Sequence, residues 1–122
     1  MGYLSDTADK IERVSRAAGW YDDERSFGDD IALLHSEVSE AFEAFRDHGF
    51  EDQTLVPVPG SVGEQDAVYF PPKPEGVGSE LADVLIRLLD TSKRVGIDLE
   101  AEVARKIAFN ATRGYRHGGK RV

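Results

Sequence analysis

Residues 30–48 read DIALLHSEVSEAFEAFRDH, and their apolar side chains recur at the three- and four-residue spacing of an amphipathic helix. The stretch predicts a helix from about Asp30 to His48, with Asp29 as the N-cap and Gly49 as the C-terminal stop. Its apolar stripe is expected to comprise Ile31, Leu34, Val38, Phe42 and Phe45.

Three more segments have the same helical pattern. The first is predicted from about Asp6 to Ala18, between the cap Ser5 and the stop Gly19. The third begins near the N-cap Ser79 and ends before Gly96, and the fourth runs from the cap Asp98 to about Arg113. We expect a wide buried face on the third helix, made of Leu81, Val84, Leu85, Leu88, Leu89 and Val95. Four amphipathic helices with mostly short connections predict an all-α, four-helix bundle-like fold.

Two stretches depart from this pattern. Residues 51–78 hold all five prolines and are too long for an ordinary helix connection, so they are either a functional cover or a disordered insertion. A short hairpin at about 57–69 is a further alternative. Residues 114–122 form a basic tail that we expect to be flexible. The chain is otherwise read as one domain over 1–122.

Composition limits the classes of function. The chain of 122 residues has no cysteine, which excludes disulfides and thiolate metal sites and favours the cytoplasm. It has no stretch of membrane-spanning length, so no membrane partner is expected. Its net charge of −8 disfavours duplex nucleic acid as a partner. A small phosphorylated ligand remains compatible with this charge if a divalent cation accompanies it.

Two carboxylate pairs share one spacing: Glu37-x-x-Glu40 and Glu80-x-x-Asp83. Residues three apart are neighbours on a helix surface, so each helix presents two carboxylates together. Four carboxylates brought face to face repel one another unless a cation lies between them, and oxygen-only ligand sets suit Mg²⁺, with Mn²⁺ as a substitute. The alternative is that both pairs are ordinary surface residues in water.

A basic face is predicted on the fourth helix. Lys106, Asn110 and Arg113 follow at i, i+4 and i+7, a pattern that suits the binding of phosphate oxygens. Alternatively, the two cations only complement the helix dipole. Trp20 is a candidate for stacking on a nucleobase, although a lone tryptophan is more often a core residue. Arg87 is expected to pair with Asp83 or Asp90 on its own helix, or to reach a phosphate.

The order of these motifs carries a family resemblance. ExxE, then ExxD in ELADVLIRLLD, then GIDLE, K-x-x-x-N-x-x-R and RHGGKR together resemble MazG-type nucleoside triphosphate pyrophosphohydrolases. The resemblance covers about residues 28–50 and 79–122. The chain departs from the family's pattern at Arg87, where many relatives have an aromatic residue, and in the long separation between the two acidic motifs.

The resemblance implies a fold, a reaction and a set of site residues. It implies an all-α homodimer or homotetramer that uses Mg²⁺ to hydrolyse the α–β phosphoanhydride of a nucleotide. The metal ligands and catalytic residues would be Glu37, Glu40, Glu80 and Asp83, and Lys106, Asn110 and Arg113 would contact phosphates. Two other classes of protein remain: a catalytically silent helical interaction module of the same fold, and a metal-binding bundle without nucleotide chemistry.

Overall fold

The described part of the chain is helical. The structure is a computed structural model that describes residues 2–54 and 72–122. Its helices are α1 (Tyr3–Ala17), α2 (Phe27–His48), α3 (Val77–Arg94), α4 (Leu99–Ala111) and the single turn α5 (Arg116–Gly119). The all-α class is therefore confirmed for this part, and none of these helices has the length and hydropathy needed to cross a membrane. The hairpin considered at 57–69 lies outside the described residues, as does most of the 51–78 insertion.

The chain divides into two compact units. The central unit is Ser26–Arg87 and contains α2 and the first part of α3. The terminal unit combines Met1–Arg25 with Leu88–Val122 and contains α1, the end of α3, α4 and α5. The single domain and the four-helix arrangement expected from the sequence stay predictions.

Helix α2 begins earlier than its apolar pattern predicts. Ser26 is the N-cap, and its hydroxyl accepts a hydrogen bond from the Asp29 N–H at 3.0 Å. The prediction that Asp29 is the cap is therefore wrong; Asp29 lies in the first turn, where its charge complements the helix dipole. The predicted stop is confirmed, because Gly49 follows the helix with a φ of 62°, a conformation that glycine adopts without strain.

Helix α1 is capped from a distant part of the terminal unit. Its N-terminal amides, those of Leu4 and Ser5, donate to Oε1 of Glu100 at 3.0 and 3.3 Å. Ser5 therefore lies inside the helix and is not its cap, contrary to expectation. Gly2 precedes the helix, and a Cβ at Gly2 would collide with the Glu100 carboxylate. A carboxylate at this helix end satisfies two free amides and complements the dipole.

This cap can be tested by substitution. Glu100→Ala leaves two amides of α1 without their acceptor, so we expect it to lower the free energy of unfolding by about 1–2 kcal/mol. Glu102→Ala is the matched control, because Glu102 lies on the same helix and pairs with the exposed Arg105 in a bridge worth less than about 1 kcal/mol. Thermal and urea unfolding measure both variants. Equal losses of stability in the two would contradict the capping role.

The start of α3 lies against a distant part of the chain, whereas the start of α4 is capped locally. Helix α3 begins at Val77, after Gly76 with a φ of 104°, where a Cβ would lie 2.9 Å from the Glu51 carbonyl oxygen. Ser79 is therefore in the first turn and not the N-cap, and its hydroxyl donates to the Pro74 carbonyl at 3.2 Å. Asp98 is confirmed as the cap of α4, since its carboxylate accepts from the Ala101 N–H at 3.0 Å.

The apolar faces are mostly exposed in the described chain. Leu89, at 1% exposure, is the fully buried member of the face expected on α3; Leu81, Leu85, Leu88 and Val95 are exposed and Val84 is half-buried. On α2, Ala41 is buried, whereas Val38, Phe42 and Phe45 are exposed. Most members of the predicted buried face are therefore exposed in the single chain. Within the described residues of the central unit, two helical segments have too few neighbours to cover both stripes.

Candidate metal centre

Three of the four predicted carboxylates come together in the central unit. Glu37 and Glu40 lie one turn apart on α2, and Glu80 lies in the first turn of α3. One oxygen from each of the three lies within 4.8 Å of the others. These three residues are called the acidic triad below. Asp83, one turn further along α3, is not a member of the triad at this distance.

Burial and neighbouring carboxylates raise the pKa of the two acidic residues on α3. Burial, followed by the charges of Glu40 and Asp83, raises the pKa of Glu80, and a hydrogen bond to Glu40 adds to this effect. Burial, followed by the charge of Glu37, raises the pKa of Asp83. The group is therefore stabilised by a shared proton or by a shared cation.

The donor set fits a hard divalent cation. The triad supplies only carboxylate oxygens, which are the ligands that Mg²⁺ and Mn²⁺ prefer. The ligands come from two helices, so their spacing is held by helix geometry and not by a loop. Asp83 remains close enough to Glu37 to interact with it electrostatically. The arrangement suits a cation held by Glu37, Glu40 and Glu80, with Asp83 beside it.

Arg87 binds a member of the triad. Its Nε donates to Oε1 of Glu37 at 3.0 Å, so the pair joins α3 to α2. The partners expected from the sequence were Asp83 and Asp90 on its own helix. In the described residues, the ion pair of Arg87 is with Glu37 instead. Arg87 still acts on Asp83 through its charge, which partly opposes the effect of burial on the pKa of Asp83.

An acidic groove continues from the triad. Its volume is about 440 Å³, and five carboxylates are among its lining residues, which are Glu40, Glu43, Ala44, Asp47, His48, Gln53, Glu75, Gly76 and Glu80. Glu43 and Asp47 were not among the predicted site residues, although their positions three and seven residues after Glu40 continue its helix face. Glu75, which forms an ion pair with Lys73 at 2.8 Å, was not predicted either. Glu75 and Lys73 precede α3, so no helical period connects them to the triad.

The predicted basic face lies in the terminal unit. Lys106 and Asn110 are exposed on α4, whereas Arg113 follows the end of that helix, which stops at Ala111. The Lys106 ammonium and the Arg113 guanidinium lie 5.8 and 5.7 Å from the centre of the Phe109 ring. The two cations thus share one aromatic neighbour, although they do not belong to one helix.

Trp20 also belongs to the terminal unit. Its side chain is 64% exposed, so it is not a core residue, and its carbonyl accepts from Arg94 at 2.8 Å. The guanidinium groups of Arg16 and Arg94 lie 4.3 and 4.0 Å from the ring centre of the next residue, Tyr21, whose hydroxyl donates to Asp90 at 2.6 Å. Burial and this hydrogen bond raise the pKa of Tyr21 to about 12. The backbone at Trp20 is therefore held while its indole faces solvent.

Comparison with known proteins adds no assignment. No model of a known protein family matches the chain, and neither a curated protein nor a solved structure is detectably similar to it.

Proposed function

We propose that this protein is a Mg²⁺-dependent nucleotide pyrophosphohydrolase with a MazG-type all-α fold: a four-helix bundle-like arrangement with the 51–78 insertion between its second and third long helices. Its reaction would be hydrolysis of a nucleoside triphosphate, or a related nucleotide, at the α–β phosphoanhydride. The observation that carries the proposal is the acidic triad, in which one oxygen each from Glu37, Glu40 and Glu80 lies within 4.8 Å of the others. The order of sequence motifs supplies the reaction class.

The chemistry divides between cation and protein. When bound, a divalent cation supplies positive charge to phosphate oxygens and lowers the pKa of a water molecule. The triad and Asp83 would hold that cation. Glu80, whose pKa is raised by burial and then by Glu40, is the candidate acceptor for the water proton. The water oxygen then bonds to the α-phosphorus as the α–β bridging bond breaks, and pyrophosphate leaves with that electron pair.

The acidic groove makes the cation essential for binding as well as for reaction. Five carboxylates line it, and a phosphate chain next to them would be repelled. The substrate is therefore expected to bind as its metal complex. This requirement agrees with the protein's net charge of −8, which by itself opposes the binding of polyphosphates.

Further residues are candidates for contacts with the substrate. Lys106, Asn110 and Arg113 would contact phosphate oxygens, and Arg87 would do so from the central unit. Trp20 would stack on the base, which its exposed indole permits.

We place the protein in the cytoplasm, since a chain without cysteines suits a reducing compartment.

We further propose that the protein is a homodimer or homotetramer. Large apolar side chains on both helices of the central unit are exposed, among them Phe42 at 63% and Leu81 at 55%. Exposed apolar surface of this kind typically marks an interface, and symmetric association of identical chains is the commonest form. Light scattering at micromolar concentration should give at least twice the chain mass of 13.5 kDa. A monomer mass under these conditions would count against the proposal.

The exposed apolar residues also favour a second candidate, a catalytically silent helical interaction module of the same fold. The two candidates differ in activity: the hydrolase releases pyrophosphate from a nucleotide, whereas the interaction module releases no product. A panel of nucleotides should be incubated with Mg²⁺ and assayed separately for pyrophosphate and orthophosphate. The proposed function predicts pyrophosphate with at least one of them and no product in excess EDTA. Release of orthophosphate alone, or of neither product, would reject it, and the second result would favour the interaction module.

A further inference from the structure

The ion pair between Arg87 and Glu37 places a permanent positive charge inside the candidate metal centre. The two residues lie on different helices and are joined at 3.0 Å. The Glu37 side chain is only 13% exposed, so solvent screens this pair less than it would a surface pair. Glu37 is also a member of the acidic triad. The carboxylate of Glu37 therefore binds a guanidinium and would also be a ligand of the proposed cation.

These two roles of Glu37 oppose each other. Oε1 of Glu37 accepts from Arg87, and a guanidinium next to the carboxylate repels a second positive charge and withdraws electron density. The converse also holds: a divalent cation on Glu37 weakens its attraction for Arg87. A guanidinium released from a carboxylate binds phosphate oxygens well, because its planar donors match them in pairs.

We propose that Arg87 sets the metal affinity of the acidic triad by competing for Glu37, and that it transfers to substrate phosphate oxygens when metal and substrate are bound together. The inference rests on the proposed function and assigns a regulatory residue to the same site. It predicts that removal of one side chain has opposite effects on two ligands: binding of metal alone becomes tighter, and binding of the phosphate chain becomes weaker.

The first measurement uses Mn²⁺ alone, followed by electron paramagnetic resonance or calorimetry. Arg87→Gln should bind Mn²⁺ roughly three- to tenfold more tightly than the wild-type protein, since one partly buried charge pair is removed. Arg46→Gln is the matched control: it removes one positive charge from α2 in the same unit, at a residue whose guanidinium lies 5.9 Å from the centre of the Phe42 ring. The control should leave the affinity for Mn²⁺ within about twofold of wild type, because exposed charges at a distance are screened.

The second measurement uses inorganic tripolyphosphate at saturating Mn²⁺, which presents a phosphate chain without a base. Arg87→Gln should bind it roughly tenfold more weakly, the loss expected for one charge-assisted contact. Arg87→Lys keeps the charge but loses the paired donors, so it should bind Mn²⁺ like wild type and bind tripolyphosphate more weakly. This second variant keeps the test available if Arg87→Gln unfolds, which circular dichroism would reveal.

The outcomes separate the inference from the proposed function. Weaker binding of both Mn²⁺ and tripolyphosphate by Arg87→Gln would show that Arg87 only positions Glu37, and would overturn the inference. Unchanged Mn²⁺ affinity would overturn it as well. If the wild-type protein itself binds no Mn²⁺, the proposed metal centre fails, and the inference fails with it. Tighter Mn²⁺ binding together with weaker tripolyphosphate binding supports both.

Discussion

Glu80→Gln is expected to reduce Mg²⁺-dependent pyrophosphate release by roughly two to three orders of magnitude. The substitution removes a charged ligand and the candidate base while keeping nearly the same shape. Glu37→Gln and Glu40→Gln should cause losses of the same order, since their oxygens complete the acidic triad. Asp83→Asn should do so too, because its carboxylate interacts with that of Glu37. Turnover of each variant under saturating Mg²⁺ is the measurement.

Glu43→Gln is the matched control for this series. Glu43 lies on α2 and lines the acidic groove, but it is not a member of the acidic triad. It changes the groove charge by the same amount as Glu80→Gln, so it separates ligand loss from general electrostatics, and we expect less than about a tenfold loss. Activity that survives excess EDTA, or near wild-type turnover in two triad variants, would refute the assignment.

The same series has a stability signature with a defined sign. The folded-state pKa of Glu80 is raised by burial and then by Glu40, so the ionised carboxylate is less stable in the folded protein than in the unfolded chain. Stability is therefore lost as pH rises from the unfolded pKa of Glu80 to its folded pKa. Glu80→Gln removes this loss, so at neutral pH without metal its Tm should equal or exceed that of wild type. Mg²⁺ should raise the Tm of the wild-type protein, and it should raise the Tm of Glu80→Gln much less.

Lys106→Ala and Arg113→Ala are each expected to reduce kcat/KM about tenfold to a hundredfold. A charge-assisted contact to a phosphate is worth roughly 1.5–3 kcal/mol, and its loss falls on substrate and transition-state binding, not on metal binding. Steady-state kinetics with the preferred nucleotide, together with Mn²⁺ affinity, measures the two effects separately. Asn110→Ala should show a smaller loss in the same direction, since an uncharged amide donates a weaker hydrogen bond.

Arg105→Ala is the control for the basic face. Arg105 lies on the same helix, is exposed and pairs with Glu102 at 2.9 Å. It should leave kcat/KM unchanged. If Lys106 and Arg113 only complement the dipole of α4, their substitution should shift stability by about 0.3–1 kcal/mol and leave the kinetics at wild-type values. Unchanged kcat/KM with a lowered Tm would therefore reject phosphate binding by these residues.

The helical periods in the sequence were sufficient to locate the long helices and the two acidic pairs. The end of α2 at Gly49 and the cap of α4 at Asp98 follow from local chemistry: a glycine adopts positive φ without strain, and a short carboxylate reaches amides three residues on. The pairing of Glu37 with Glu40 is equally local, because residues three apart on one helix are neighbours whatever the helix packs against.

Tertiary structure decided every feature that joins separate parts of the chain. Glu100 caps α1 although 96 residues separate it from Leu4, and Arg87 pairs with Glu37 across 50 residues instead of with a carboxylate on its own helix. The register of α3 against α2 places Glu80 in the triad and Asp83 outside it. Periodicity gives the angle of a side chain around its own axis but not the register of one helix against another, since that register depends on the packing of all their contacting side chains.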